Sequence, residues 1–474
     1  LLGVLSKDPK PSPNERLAKN TVIYLIGNAG SKLLQMLFLP VITSILSTAE
    51  YGYYDLIVTS ISLVTPVVTF QITEAMFRNL FYGSEDEKET VLSSVAAFLT
   101  GGVTCLSIVM AAMVWIHLPI QFPVLVFLNY FSNICFTYLQ KVVRSEQHNS
   151  VVAAAGVINT ATMLAVQGFT LVVLDMRADG MLVANFVSYF VASLYMEKTA
   201  KLRKRISFKK IDPRGLWSMF KLSLPLVPNS VCWYFVSAGN SYLITTLVSA
   251  AANGVYAIAN GFSQMLTFVT GVFQMAWQES SIIECSSEKR DVFYSSTFNA
   301  YMKLLLSAYI VLLPFIKLVM PILVSNSFQD GYVYVPVLLA SAVFSSFSQF
   351  YGSAYLTFKK TGGALFTTLV AAVINCAICI IFIGKLGLFA PALGSATAFA
   401  AQWLIRIWQM SDYFKVKIDV AALLALLLCS VISCACFYLC GTAVQTVVFV
   451  FGLAVAFLFN RNLIQKVFIR FRRA

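Results

Sequence analysis

Charge is scarce in this chain. Of its 474 residues only 12% are Asp, Glu, Lys or Arg, against 58% hydrophobic. The mean hydropathy of +0.78 lies far outside the balance of a water-soluble globular protein. Histidine is nearly missing: His117 and His148 both fall in expected loops, so no His-based metal site is expected. The ten cysteines lie mostly within apolar runs, where Cys behaves as a small hydrophobe, and no disulfide framework is implied. Cys376 and Cys379 form a CxxC, but in the middle of an apolar helix that spacing argues little for redox or metal chemistry. Long polar segments are also lacking, which leaves little chain for a soluble domain.

What the sequence has is apolar runs of the length a bilayer demands, about 20 residues each. They fall near 20–46, 54–77, 91–116, 120–140, 150–174, 180–197, 216–248, 254–282, 292–324, 331–358, 362–384, 390–410, 419–440 and 442–460. The spacing predicts an all-α polytopic membrane protein of fourteen transmembrane helices. Pro40, Pro225, Pro228, Pro314 and Pro321 sit near the ends of the longest spans, where tilt or kinks are expected.

Lys and Arg are retained on the cytoplasmic side of short loops. With the N-terminus inside, 30 of the 34 Lys and Arg fall on that side. Arg177 and Lys385 fall outside, and Lys32 and Lys317 lie within spans. Both termini are therefore expected in the cytoplasm. The net charge of +13 is mostly topological; the loop from Lys198 to Lys221 and the tail Arg470, Arg472, Arg473 could also hold anionic lipid, and a nucleic-acid partner is unnecessary. Leu1 to Glu15 reads as a flexible tail rather than a cleaved signal.

The chain repeats itself. Leu46-Ser47-Thr48-Ala49-Glu50-Tyr51-Gly52-Tyr53-Tyr54 matches Val248-Ser249-Ala250-Ala251-Ala252-Asn253-Gly254-Val255-Tyr256 at an offset of 202. Phe70-Gln71 echoes Phe273-Gln274, and Val157-Ile158-Asn159 echoes Val373-Ile374-Asn375. Two six-helix lobes follow, related by a pseudo-two-fold along the membrane normal, with two further C-terminal helices outside the duplicated core. The expected division is a tail at 1–19, a first lobe at 20–197, a basic linker at 198–215, a second lobe at 216–411, the added pair at 412–463 and a basic tail at 464–474.

Function is read from polar groups the bilayer would reject, since an ionisable residue at its centre costs at least about 2.5–3.5 kcal/mol. Span 1 carries Thr21, Tyr24, Asn28, Lys32 and Gln35 on one helical face. Lys32 lies too deep to snorkel. Span 2 ends in Gln71, Glu74 and Arg78, where an intrahelical ion pair is the plainer alternative. Span 7 holds Asn229, Trp233 and Asn240. Span 8 shows Asn260, Gln264, Thr267, Gly271, Gln274 and Gln278, with Glu279 following, and span 9 holds Lys303. For the amides the competing reading is helix-helix hydrogen bonding. The expected cavity set is Asn28, Lys32, Gln35, Gln71, Arg78, Asn229, Trp233, Asn240, Gln264, Gln274 and Lys303, with Glu74 or Glu279 as the group that titrates with a coupling ion. A Lys with amides and aromatics suits an anionic, hydroxyl-rich substrate.

Leu39-Pro40, Tyr51-Gly52-Tyr53-Tyr54, Phe273-Gln274-Met275-Ala276-Trp277-Gln278-Glu279 and the six-plus-six-plus-two layout resemble the polysaccharide transporter branch of the multidrug/oligosaccharidyl-lipid/polysaccharide (MOP) superfamily, specifically Wzx-type flippases. The resemblance implies a non-enzymatic protein of the bacterial cytoplasmic membrane. Its substrate would be an oligosaccharide on undecaprenyl pyrophosphate, turned to the outer leaflet by alternating access for O-antigen or capsule assembly. It also implies coupling to H+, Na+ or the membrane potential, a glycan polymerase as neighbour, no cofactor, and cations on the pyrophosphate: Lys32, with Arg78 and Lys303 nearer the cytoplasmic gate. The alternatives are a multidrug or cation antiporter, which would want acids deep in the bundle; a peptidoglycan-precursor (lipid II) flippase; and a membrane glycan polymerase or glycosyltransferase, which the short outer loops disfavour.

Overall fold

The computed structural model describes residues 35, 37–82, 84–116, 122–146, 148–224, 226–237, 239–285, 287–358 and 360–471. Among them every regular element is helical. The first half contains α1 (Leu39–Ile45), α2 (Thr48–Thr69), α3 (Ile72–Tyr82), α4 (Glu85–Trp115), α5 (Pro123–Ser145), α6 (Asn149–Gly168) and α7 (Ala178–Ala200). The second contains α8 (Pro213–Ser223), α9 (Leu226–Ser237), α10 (Asn240–Leu247), α11 (Ala250–Glu284), α12 (Arg290–Leu323), α13 (Val335–Thr357), α14 (Thr361–Leu386) and α15 (Phe389–Met410). Two more, α16 (Val420–Leu439) and α17 (Thr442–Phe471), follow.

Nine helices among the described residues are long and apolar enough to cross a membrane. The protein is a multi-pass membrane protein. Leu428, Val431 and Val447 on the added pair stand 63%, 65% and 68% exposed, a surface that lipid rather than water covers. The nine do not reproduce the expected fourteen. Expected span 1 lies largely outside the described residues. Span 7 is broken into α8, α9 and α10, with Pro228 and Gly239 near the breaks, because Pro gives up a helical hydrogen bond and Gly holds helix poorly. Span 2 starts six residues earlier than expected, at Thr48, and stops at Phe70 and Gln71. Both of these take left-handed backbone, at φ 47° and 54°, a conformation that costs a non-glycine residue energy.

Repeated caps explain the repeated sequence. Ser47 Oγ accepts from the Glu50 backbone N–H at 3.3 Å while Glu50 accepts from the Ser47 N–H at 2.8 Å, a capping box that starts α2. Ser249, 202 residues on, accepts from the Ala252 N–H at 3.1 Å and starts α11.

Each lobe has its own core. In the first, Ile72, Met76, Leu92, Val142, Val143 and Met196 are fully buried together. In the second, the Trp277 indole stacks on Phe350 at 4.1 Å and donates to the Phe350 carbonyl at 2.9 Å, and the Tyr294 hydroxyl donates to the Ser281 carbonyl at 2.7 Å. The lobes meet chiefly where α2 lies along α11, with α9 and α10 beside it. The added pair packs on α12. There Asn460 donates to Ser307 Oγ at 3.1 Å, and Lys317 donates to the carbonyls of Phe437 and, at 3.0 Å, Cys440. Lys317 thus caps the negative end of α16.

The basic linker is fastened rather than loose. Lys210 bonds Asp86 at 2.6 Å and Glu89 at 2.8 Å, which holds its ammonium above the usual lysine range. Arg205 pairs with Glu146. Asp212 caps α8 through the N–H groups of Arg214 and Gly215, both at 3.0 Å.

Candidate substrate cavity

The lobes enclose a cavity of about 440 Å³ lined by α1, α2, α6, α7 and α11. Its polar wall is Gln35, Tyr51, Tyr54, Asp55, Gln167, Asn185, Tyr189, Asn260 and Gln264; Leu39, Ile42, Val58, Met163 and Met265 supply apolar surface between them. The helices place these groups by period: Tyr51, Tyr54, Asp55 and Val58 recur every three or four residues on one face of α2. Asp55 lies seven residues from the start of α2, roughly 10 Å along its axis.

Several lining groups are held by their neighbours. Asn185 donates to the Tyr54 hydroxyl at 2.9 Å. Asn260 Oδ1 accepts from Ser263 at 3.0 Å and Gln264 Oε1 accepts from Thr267 at 2.6 Å. Gln167 Oε1 is buried with no partner among the described residues. Leaving such an acceptor unpaired costs about 1–3 kcal/mol, so this wall favours a guest with hydroxyl donors.

Asp55 is the charged residue the sequence reading missed. Its Oδ2 accepts from Ser241 Oγ of α10 at 2.7 Å and from Asn253 Nδ2 of α11 at 3.2 Å. Asn253 also donates to the Gly52 carbonyl at 2.9 Å. These bonds cross from the first lobe to the second. Among the described residues no Lys, Arg or His lies within 4.0 Å of the Asp55 carboxylate.

The expected site residues scatter. Gln35 and Gln264 line the cavity. Gln71 bridges the lobes farther along the seam, donating to Ser230 Oγ at 2.9 Å; its neighbour Asn229 is half-buried on α9, and Trp233 is 41% exposed with its ring edge-on to Tyr234. Gln274 turns into the second lobe, donating to the Gln349 carbonyl at 2.6 Å and Ser353 Oγ at 2.7 Å. Asn240 is buried in a web between α10, α11, α14 and α15: it donates to Tyr256 at 3.1 Å, the Pro391 carbonyl at 3.1 Å and Ser395 at 2.8 Å, and accepts from Asn375 at 3.0 Å. Those last two follow the helix-helix alternative for membrane amides. Glu74 pairs with Lys141 of α5 at 2.6 Å, a partner on another helix. Lys303 pairs with Asp419 at 2.7 Å, and this hydrogen bond, with that from the Ala422 N–H, holds the Asp419 carboxyl below the usual carboxylate range. Asn28, Lys32 and the side chains of Arg78 and Glu279 lie outside the described residues.

Arg406 is buried in the second lobe. It donates to Thr367 Oγ1 at 3.0 Å, the Ser348 carbonyl at 2.8 Å and Thr368 Oγ1 at 3.3 Å. Among the described residues no group of three or more His, Cys, Asp or Glu is placed to hold a metal.

Two helical lobes facing each other across a polar cavity are also the fold of solved transporters of the MOP superfamily. The solved structure of the lipid II flippase MurJ, in an inward closed conformation, matches 94% of this chain and 100% of its own at a TM-score of 0.70 and 13% identity. An inward-facing MATE-family multidrug transporter of the MOP superfamily matches 83% and 98% at 0.64 and 15% identity. A MOP transporter from Pyrococcus furiosus, described for the reverse polarity of its binding pocket, matches 85% and 97% at 0.62 and 16% identity. In sequence, residues 17–278 match the family described as polysaccharide biosynthesis protein, more than half of the chain, and the chain belongs to that family. It is also 23% identical over 258 residues to the probable low-salt glycan biosynthesis flippase Agl15 of Haloferax volcanii, and spans 53% of that relative's length. These relatives are named as flippases and transporters rather than as enzymes.

Proposed function

We propose that this protein is a flippase that carries undecaprenyl-pyrophosphate-linked oligosaccharide from the inner to the outer leaflet of a bacterial cytoplasmic membrane for O-antigen or capsule assembly. The observation that carries the reading is the cavity between the lobes, walled by phenols, amides and one carboxylate. A sugar headgroup cannot shed its hydration into hydrocarbon, where each unsatisfied polar group costs several kcal/mol. Gln35, Tyr54, Gln167, Asn185 and Gln264 offer substitute hydrogen bonds, and the aromatic rings offer faces for sugar rings, while the prenyl tail stays in lipid. Lys32 and Arg78 are the cations proposed for the pyrophosphate. Lys303, engaged by Asp419, is a weaker candidate.

The transport cycle is alternating access between the lobes, with both termini cytoplasmic and an ion gradient or the membrane potential as the driving force. An inside-negative potential assists outward movement of negative charge by about 2.3 kcal/mol per charge per 100 mV. The test is export in cells: replacing the chromosomal gene by an inducible copy and withdrawing the inducer should strand lipid-linked glycan in the inner leaflet. Unchanged surface glycan after depletion contradicts the reading.

A second reading, a cation or drug antiporter, is favoured by Asp55, an acid in the cavity wall. Efflux of a cationic dye by reconstituted protein, with no movement of lipid-linked sugar, would select it.

A further inference from the structure

Arg406 of α15 is a buried cation with no acid beside it. Its guanidinium gives its hydrogen bonds to neutral oxygens, those of Thr367, Ser348 and Thr368, and among the described residues no Asp or Glu carboxylate lies within 4.0 Å. Taking a charge out of water is costly unless an opposite charge compensates it. The Tyr355 ring, its centroid 5.7 Å from the guanidinium carbon, also forms part of the wall of a second cavity.

This second cavity, of about 390 Å³, belongs to the second lobe and shares no lining residue with the cavity between the lobes. Its volume is that of a small-ligand pocket, roughly 300–1,000 Å³. Tyr355 of α13 lines it, with Lys360, Gly362 and Gly363 at the start of α14 and Gln409 and Tyr413 at the end of α15. The wall is built: the Tyr355 hydroxyl donates to Gln409 Oε1 at 2.7 Å, and a methyl group on Gly363 would lie 2.6 Å from Tyr355 Cε1 and 3.2 Å from Gln409 Oε1. Lys360 is its charged residue, with its ammonium 5.9 Å from the centroid of the Tyr413 ring and, among the described residues, no carboxylate within 4.0 Å. The acid of the neighbouring loop, Asp412, is exposed and is not in the wall.

We propose that this cavity binds the phosphate of an anionic glycerophospholipid headgroup, with Lys360 as the contact charge and Arg406 as the buried charge behind the Tyr355 ring. The positive end of α14 adds to the same field. The surface around the cavity points to a lipid as the source of the phosphate. Phe366, Leu369 and Val373 on α14 and Leu404 and Trp408 on α15 are exposed, and the two helices pack side by side. Acyl chains would lie along these apolar strips, with Trp408, next to Gln409 in sequence, at headgroup level. The adjoining loops carry Lys359, Lys360, Lys415 and Lys417, the loop chemistry that faces an anionic leaflet. The inference is independent of the transport reading, because it uses one lobe and none of the residues proposed for the glycan.

The test is a lipid titration of the purified, delipidated full chain in detergent, with bound lipid counted by native mass spectrometry. Dioctanoyl phosphatidylglycerol should bind saturably, and phosphatidylcholine of the same chain length at least about tenfold more weakly. Lys360→Ala should weaken phosphatidylglycerol binding by about tenfold, the weight of one charge-assisted bond, and Lys360→Arg should keep it. Lys415→Ala, which removes an equal charge from the surface outside the cavity, should stay within about twofold of wild type. Unchanged binding by Lys360→Ala overturns the proposal, as does an equal loss in Lys415→Ala, which would make the attraction one of net charge. Inorganic phosphate in large excess at constant ionic strength separates the two sources. Retention of the lipid supports a lipid site; its displacement overturns the lipid as occupant and assigns the cavity to free phosphate.

Discussion

Gly52 and Gly254 hold equivalent places in the two halves, 202 residues apart, and each packs against the backbone of the other's helix. A methyl group built on Gly52 would lie 1.8 Å from the Ala250 carbonyl oxygen, and one on Gly254 would lie 1.9 Å from the Thr48 carbonyl oxygen. Ala250 and Thr48 are themselves a pair at the same offset, so the pseudo-two-fold axis passes through this crossing. Small residues let membrane helices approach at backbone distance. Gly52→Ala and Gly254→Ala should therefore each lower stability by about 1–3 kcal/mol, the usual weight of overpacking, and reduce transport by at least tenfold. Thermal unfolding in detergent with a parallel transport assay checks both; wild-type behaviour of either variant would remove the crossing from the account.

The Lys303–Asp419 pair ties α12 to the segment that starts α16. Asp419 is depressed by its bond from Lys303, so its stabilising effect is present above the ordinary carboxylate range and is lost as pH falls through the lowered value. Asp419 is 39% exposed, which limits the effect to about 1 kcal/mol or less. Asp419→Asn should flatten the acid limb of a melting-temperature profile, and Lys303→Ala should cost stability while leaving transport per folded molecule within about twofold. A transport-dead, fully stable Lys303→Ala protein would return Lys303 to the cavity set.

Lys32→Ala should abolish glycan export at unchanged protein level. Of the two cations proposed for the pyrophosphate, Lys32 is the one expected deep in a span, and each lost charge-assisted bond is worth about 1.5–3 kcal/mol. Full export by this variant, measured as surface glycan, would sink the cavity-cation hypothesis.

Orientation is open to direct labelling. Cysteines at Asn326 to Gly331 should react with an impermeant reagent from outside, and those at Ser286 to Arg290 only after permeabilisation. The reverse pattern at either site refutes the helix count and the proposed direction of transport.

Hydropathy and the positive loops made the membrane class and most helices legible, because both signals are local along the chain. The repeat was legible too: Ser47 and Ser249 are caps, Gly52 and Gly254 a crossing, and Tyr54 and Tyr256 accept from asparagines of other helices. The site was harder to read. Setting the start of span 2 at residue 54 placed Asp55 at a helix end, where acids are cheap, while the Ser47 cap puts it two turns inside. Its partners Ser241 and Asn253 lie nearly 200 residues away, so no spacing announces them. Asn240 carries the same composition signal as a cavity amide, and only its neighbours Tyr256, Asn375 and Ser395 distinguish the two. For Glu74 the sequence offered an intrahelical pair with Arg78 as the plainer alternative, and Lys141, 67 residues away on another helix, is a partner no spacing announces.

The most direct test of the flippase reading is reconstitution of the purified protein into liposomes carrying a fluorescent short-chain glycan on prenyl pyrophosphate, scored by the fraction a membrane-impermeant reductant can reach. Protein-dependent loss of protection, faster under an imposed potential and absent with Lys32→Ala, is the predicted result. Protection identical to that of protein-free vesicles, from protein shown to be folded and inserted, would contradict it.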